Sequence, residues 1–259
     1  GNKKTATLDG KVTTSHSGAD GTKTTESIGA SVSINESGRL GTITGDRTAT
    51  ETADGVSTSR TDSVKIDAEK GTIGLSDDLK TTVTNEDGSK VEDNDKHTLN
   101  VNVKDPSIAV TRDTNDKVTD ADGNSVADRR GTSGSVSEDG LSAGISGGRT
   151  TTDADGNSVA HDHKVGVDID ADKTTISGST TTETKTTDED GGHNKIGGGA
   201  NVGLTIDDAE ANLKASTSLN TEDKTVTGDS SKTVGTKHSV GIDTGKKDVS
   251  HNQPYRRCK

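Results

Sequence analysis

The dipeptide Asp-Gly returns along this chain at an almost constant interval. It occurs at Asp20-Gly21, Asp54-Gly55, Asp87-Gly88, Asp122-Gly123, Asp155-Gly156 and Asp190-Gly191, with successive spacings of 34, 33, 35, 33 and 35 residues. A further turn, Gly228-Asp229, follows after a slightly longer interval. Two copies share the string Ala-Asp-Gly-Asn-Ser-Val-Ala, at 121–127 and 154–160. A period of this length marks a repeat architecture, in which each copy covers its apolar side chains only against neighbouring copies.

Halfway between these dipeptides lies a second series of turn-forming segments: Asn35–Gly38, Asp67–Gly71, Lys104–Ser107, Glu138–Gly140, Asp170–Lys173, Asp207–Glu210 and Asp243–Lys247. Most of the aliphatic residues flank this second series. Their local period is two. Leu99-Asn-Val-Asn-Val103, Val165-Gly-Val-Asp-Ile169 and Val202-Gly-Leu-Thr-Ile206 alternate strictly, which places the aliphatic side chains on one face of a strand. The intervening segments, such as Thr48–Thr52 and Thr180–Thr187, are rich in threonine, a β-branched residue that favours the pleated conformation while staying polar. Asp-Gly supplies the positive φ of tight hairpin turns. Asp207–Ala215 is the only stretch to test as a short helix, and its neighbours' hairpin register makes it a turn and strand.

The expected fold is all-β: a repetitive up-and-down β-hairpin meander of about 15 strands, each about 12–14 residues or roughly 45 Å long. The array spans 1–252, and 253–259 form a basic C-terminal tail or junction. Open alternatives are a sheet curled into a shell, a sheet stacked into a fibre, and a β-solenoid built from half-repeats.

Composition limits what such a sheet can do. Val, Ile and Leu total 41 of 259 residues; Phe, Trp and Met are absent, and Tyr255 is the only aromatic residue. An ordinary core is out of reach at that content, so main-chain ladders and neighbouring copies are expected to supply much of the stability. Lys+Arg number 31 against 43 Asp+Glu, a net charge of −12. An acidic chain without aromatic platforms is not expected to bind nucleic acid. No apolar run approaches the length of a membrane helix, no remaining signal peptide is expected at the N-terminus, and the aromatic girdles of a transmembrane barrel are missing. The chain begins at Gly1 rather than Met, which suggests a processed product or a piece of something longer.

Several side-chain groupings invite a chemical reading. His161-Asp-His163 puts two imidazoles on one strand face, but no third metal ligand can be named. The other histidines, His16, His97, His193, His238 and His251, form no set. Asp120–Asn124 and Asp153–Asn157 resemble the opening of a calcium loop. Loop position six is Ser125 or Ser158 rather than glycine, and position twelve is Gly131 or Lys164 rather than a carboxylate. The plain turn is the expected reading there and at Asp188-Glu-Asp190. Gly197–Gly203 lacks the Gly-Lys-Ser/Thr ending of a phosphate loop and is expected where a strand begins. Paired carboxylates are abundant, yet no apolar pocket is foreseen to separate their pKa values. No catalytic, cofactor-binding or metal-binding residue is therefore assigned, and no cofactor or enzymatic activity is expected. The tail Pro254–Lys259 holds Tyr255 and the single cysteine, Cys258, beside local positive charge. It reads as a frayed end or a junction to another domain.

The segment Ile34-Asn-Glu-Ser-Gly38-Arg39-Leu40-Gly-Thr-Ile43-Thr44-Gly45 resembles one Tyr-Asp (Rhs-type) repeat of bacterial secreted toxins, whose consecutive hairpins carry a Gly-Arg-Leu step. That resemblance implies a delivery shell or stalk with any activity housed in a different, fused or neighbouring segment. The expected function is a noncatalytic structural repeat protein, extracellular or surface-exposed, that assembles with copies of itself into a β-rich fibre or stalk. The alternatives are a shell or spacer of a secreted toxin or injection-system cargo, and a calcium-binding adhesin module.

Overall fold

The computed structural model describes residues 5–170, 172–188, 192–207, 210–227, 230–245 and 248–252. Among them the chain forms fifteen strands and no helix. They are β1 (Ala6–Ser17), β2 (Lys23–Ile34), β3 (Leu40–Ala53), β4 (Val56–Asp67), β5 (Thr72–Thr84), β6 (Lys90–Asn102), β7 (Ser107–Thr119) and β8 (Ser125–Ser137). The chain continues through β9 (Gly140–Thr152), β10 (Ser158–Asp170), β11 (Lys173–Thr187), β12 (His193–Asp207), β13 (Glu210–Thr227), β14 (Ser230–Asp243) and β15 (Asp248–Asn252). Asp190-Gly191, Gly228-Asp229 and the tail Pro254–Lys259, with Tyr255 and Cys258, lie outside the described residues.

Strand order follows chain order from β1 to β15. Each pair with a described register is an antiparallel hairpin, so the chain is the expected meander and not a solenoid of parallel coils. Asp207 ends β12 and Glu210 opens β13, so the described residues of the Asp207–Ala215 stretch are strand and not helix. By packing, the residues divide into two units, Gly1–Val118 with Gly131–Leu141, and Thr119–Arg130 with Ser142–Lys259.

The turns show why Asp-Gly recurs. At Asp54-Gly55 both residues have positive φ, 48° and 79°, which closes a two-residue hairpin whose twist matches its strands. At Gly21, Gly88, Gly123 and Gly156 only the glycine is left-handed, with φ between 84° and 95°. There the turn is wider and an Asn or Asp often opens it. Asp120 accepts the Asp122 and Asn124 backbone N–H groups on Oδ1 (3.0 and 2.8 Å), and Asn124 Nδ2 donates to Oδ2 (2.8 Å). Asp153 and Asn157 repeat the arrangement at 2.8 Å. The Asn Oδ1 then reaches the next turn on the same side of the sheet. Asn124 accepts the Ala154 N–H at 3.0 Å, and Asn157 accepts the Thr187 N–H at 2.8 Å. The shared string at 121–127 and 154–160 thus holds a residue that ties one copy to the next.

Register sorts the side chains more strictly than the aliphatic count suggests. Directly paired residues lie on the same face of a sheet. One face of the first unit carries the row Val32, Ile43, Ile66, Ile73 and Val101, and next to it Val64, Leu75 and Leu99. In the second unit Val167, Ile176, Leu204 and Leu213 form an equivalent row. The opposite face of β1–β6 and β10–β12 holds no valine, isoleucine or leucine; its residues are chiefly Ser, Thr, Asn, Asp, Lys and Gly. On that polar face hydroxyls bond across strands, as at Thr48–Thr61 (3.2 Å), Thr50–Ser59 and Thr52–Ser57 (both 3.3 Å).

A bulge keeps β3 in phase with this division. Leu40 and Ile43 are three residues apart, yet Leu40 faces Ile34 and Ile43 faces Val32, because the register shifts between Val32 and Ile34. Ser33 therefore meets both Gly41 and Thr42. Its hydroxyl accepts the Thr42 N–H at 2.8 Å. A Cβ on Gly41 would come within 2.9 Å of that hydroxyl, so the bulge needs glycine there.

Candidate functional site

The chemical groupings behave differently once the strands are paired. His161 and His163 do share a face of β10, but they turn to opposite neighbours. His161 Nδ1 lies 3.0 Å from Thr182 Oγ1 on β11, and the His163 ring covers Gly147 on β9. Asp162, between them, faces the other way and binds Arg129 at 2.9 Å. Among the described residues no group of three His, Cys, Asp or Glu side chains is placed to hold a metal ion. At the two loops that resemble calcium sites, both carboxylate oxygens of Asp120 and of Asp153 accept hydrogen bonds within the turn. The Asn124 amide, followed by backbone N–H groups, holds the Asp120 carboxyl below its ordinary range, and Asn157 does the same for Asp153. Gly197–Gly203 is not the beginning of a strand but the middle of β12. Its glycines lie close to neighbouring backbones: a Cβ at Gly199 would sit 2.9 Å from Thr180 O.

Ionised groups concentrate in the middle of the aliphatic face. In the first unit Arg47 binds Glu26 (2.7 Å), Arg60 binds Asp62 and Asp77 (both 3.2 Å), and Arg112 binds Asp95 (2.7 Å). The guanidinium of Arg112 holds the Asp95 carboxyl below its ordinary range. In the second unit Arg149 grips Asp128 through two bonds of 2.7 Å. Beyond this band, at the Asp-Gly end of β4–β6, Val56, Val83 and Val91 form a shorter aliphatic row. The face is therefore apolar, then charged, then apolar, where the sequence pattern foresaw a single band near one set of turns.

A carboxylate pair stands out within this region. Asp93 and Asp116 share a hydrogen bond, and partial burial, then Asp116 and Asp95, push the Asp93 carboxyl up. Because that pKa is raised in the folded chain, the group favours folding at low pH, and the benefit is lost as pH rises through its folded value. Asp93→Asn should thus stabilise the sheet at pH 7, by less than about 1 kcal/mol after solvent screening, and make no difference well below pH 4. Urea unfolding of the two proteins at both pH values measures this; equal gains at both would discount the pair.

The main geometric feature is the aliphatic face itself. No aliphatic side chain is buried among the described residues, and the buried polar side chain among them is Ser27. Leu8 is 79% exposed, Val12 67% and Leu75 45%. Val32, Ile73, Val165, Ile176 and Ile206 are exposed as well. Sheets of this kind ordinarily cover such a face with a second layer. What the arrangement offers is an exposed aliphatic surface divided by a band of ion pairs. No family model, curated protein or solved structure matches the chain.

Proposed function

We propose that this is a noncatalytic structural repeat protein that assembles with copies of itself into a β-rich fibre or stalk, outside the cell. One observation carries the reading: within each unit all the large aliphatic side chains with a described register, in β1–β6 and in β10–β12, lie on one face, and none among the described residues is buried. A sheet so divided gains its hydrophobic stabilisation only when something else covers that face. The cross-strand hydroxyl and ion-pair ladders repeat without converging on a reactive group, which suits a scaffold. The resemblance of Ile34–Gly45 to a toxin-type repeat supports an extracellular setting.

Negative-stain electron microscopy of the purified chain across a roughly hundredfold dilution tests the reading. Elongated particles that persist at high concentration are the expected result. Discrete, monomer-sized particles at every concentration would replace it with the spacer reading, in which the array separates other parts of a larger secreted protein.

A further inference from the structure

Resting on that reading, we infer that the aliphatic half-face of β1–β6 docks face to face on the same half-face of a second copy, forming a dry two-layer sheet. Val64, Leu75 and Leu99, with Ile66, Ile73 and Val101, form two directly paired rows across its β4–β6 side. These positions are adjacent across three neighbouring strands, so they present a continuous apolar surface rather than scattered side chains. Only this side needs a cover, because the other face of the same strands has no valine, isoleucine or leucine.

Size supports a copy of the same chain as the occupant. Six strands spaced about 4.8 Å apart, with an aliphatic half about 20 Å long, give roughly 600 Å² per copy and about 1,200 Å² for the pair. That reaches the lower bound of stable protein interfaces from this patch alone. The row around Ile176 and Leu204 in the second unit forms another patch of the same kind.

Charge supports it too. The band bordering the patch holds both signs, with Glu26, Asp62 and Asp77 beside Arg47 and Arg60, and these groups are already paired within their own sheet. A two-fold-related copy therefore meets mixed charges at the rim and no block of like charge. A lipid surface fits less well. A row of ion pairs crossing the apolar face opposes immersion in hydrocarbon.

Thiol accessibility reads out the interface with small substitutions. In a Cys258→Ser background, Leu75→Cys places a thiol in the apolar row and Ser63→Cys places one on the polar face of the adjacent strand. Alkylation of the Leu75→Cys thiol should slow about tenfold between dilute and concentrated protein, while the Ser63→Cys thiol keeps its rate within about twofold. Equal rates for both thiols at all concentrations, in chains that still form elongated particles, would overturn the face-to-face contact and leave the structural reading standing, with strand edges making the assembly. Protection that needs added phosphatidylcholine vesicles would overturn it in favour of a lipid surface. Chains that show neither protection nor any concentration-dependent mass would overturn both.

Discussion

Replacing Gly21, Gly55, Gly88, Gly123 and Gly156 together with valine should abolish the sheet. Each occupies the left-handed region, with φ between 79° and 95°. A β-branched residue there costs about 1–2 kcal/mol, so five such sites total about 5–10 kcal/mol, the whole stability of an ordinary domain. This chain has no buried aliphatic core among its described residues to absorb the loss. Far-UV circular dichroism should show an unstructured chain at 25 °C. The contrasting change is Gly178→Val. Gly178 lies inside β11, pairs with Val165 and Val202, and leaves a Cβ no nearer than 3.9 Å to other atoms, at Lys164 O. It should be neutral or stabilise by up to about 1 kcal/mol, since valine suits a strand interior better than glycine. If the five-fold variant kept its β signal, the turns would not be what fixes the hairpins.

Acid should also dismantle the sheet, between about pH 4 and pH 2. Turn hydrogen bonds hold the carboxyls of Asp20, Asp87, Asp120 and Asp153 below their ordinary range; Lys90 does so for Glu92, His193 for Glu222 and Arg149 for Asp128. A pKa lowered by folding means that the stabilisation is full above the unfolded value and disappears as pH falls through the folded one. Protonation also removes the balancing charge. The net moves from −12 towards +38, with 31 Lys+Arg and 7 His left uncompensated. Self-repulsion then adds to the lost turn closures. A pH titration followed by circular dichroism measures the transition, and a spectrum unchanged at pH 2 would show that these carboxyls contribute little. The raised Asp93 works in the opposite direction, but it is a single group against all of these.

Local signals in the sequence located most of the fold. Asp-Gly spacing placed the hairpins, and the alternation in Leu99–Val103 or Val202–Ile206 placed their apolar side, because both depend only on near neighbours in the chain. Features that depend on register were hidden. The Leu40–Ile43 interval of three did signal the β3 bulge, but its meaning appears only when Ser33 is seen to face two residues. His161 and His163 share a face as their spacing requires, while their divergence depends on Thr182 and Gly147, which lie on two different strands. The Asp93–Asp116 pair joins groups on β6 and β7 that no motif connects. The second row at Val56, Val83 and Val91 was legible only as isolated valines until the strands were aligned.

The amide bridges from Asn124 to Ala154 and from Asn157 to Thr187 have a consequence for how such a gene can change. Two successive copies are joined to the next by the same small device, and that device asks nothing of copies further away. A duplication or loss of one 34-residue segment carrying it would therefore leave the bridged junctions intact. Length in this architecture is free to drift by whole copies, so relatives should differ in copy number more readily than in the chemistry of the joint.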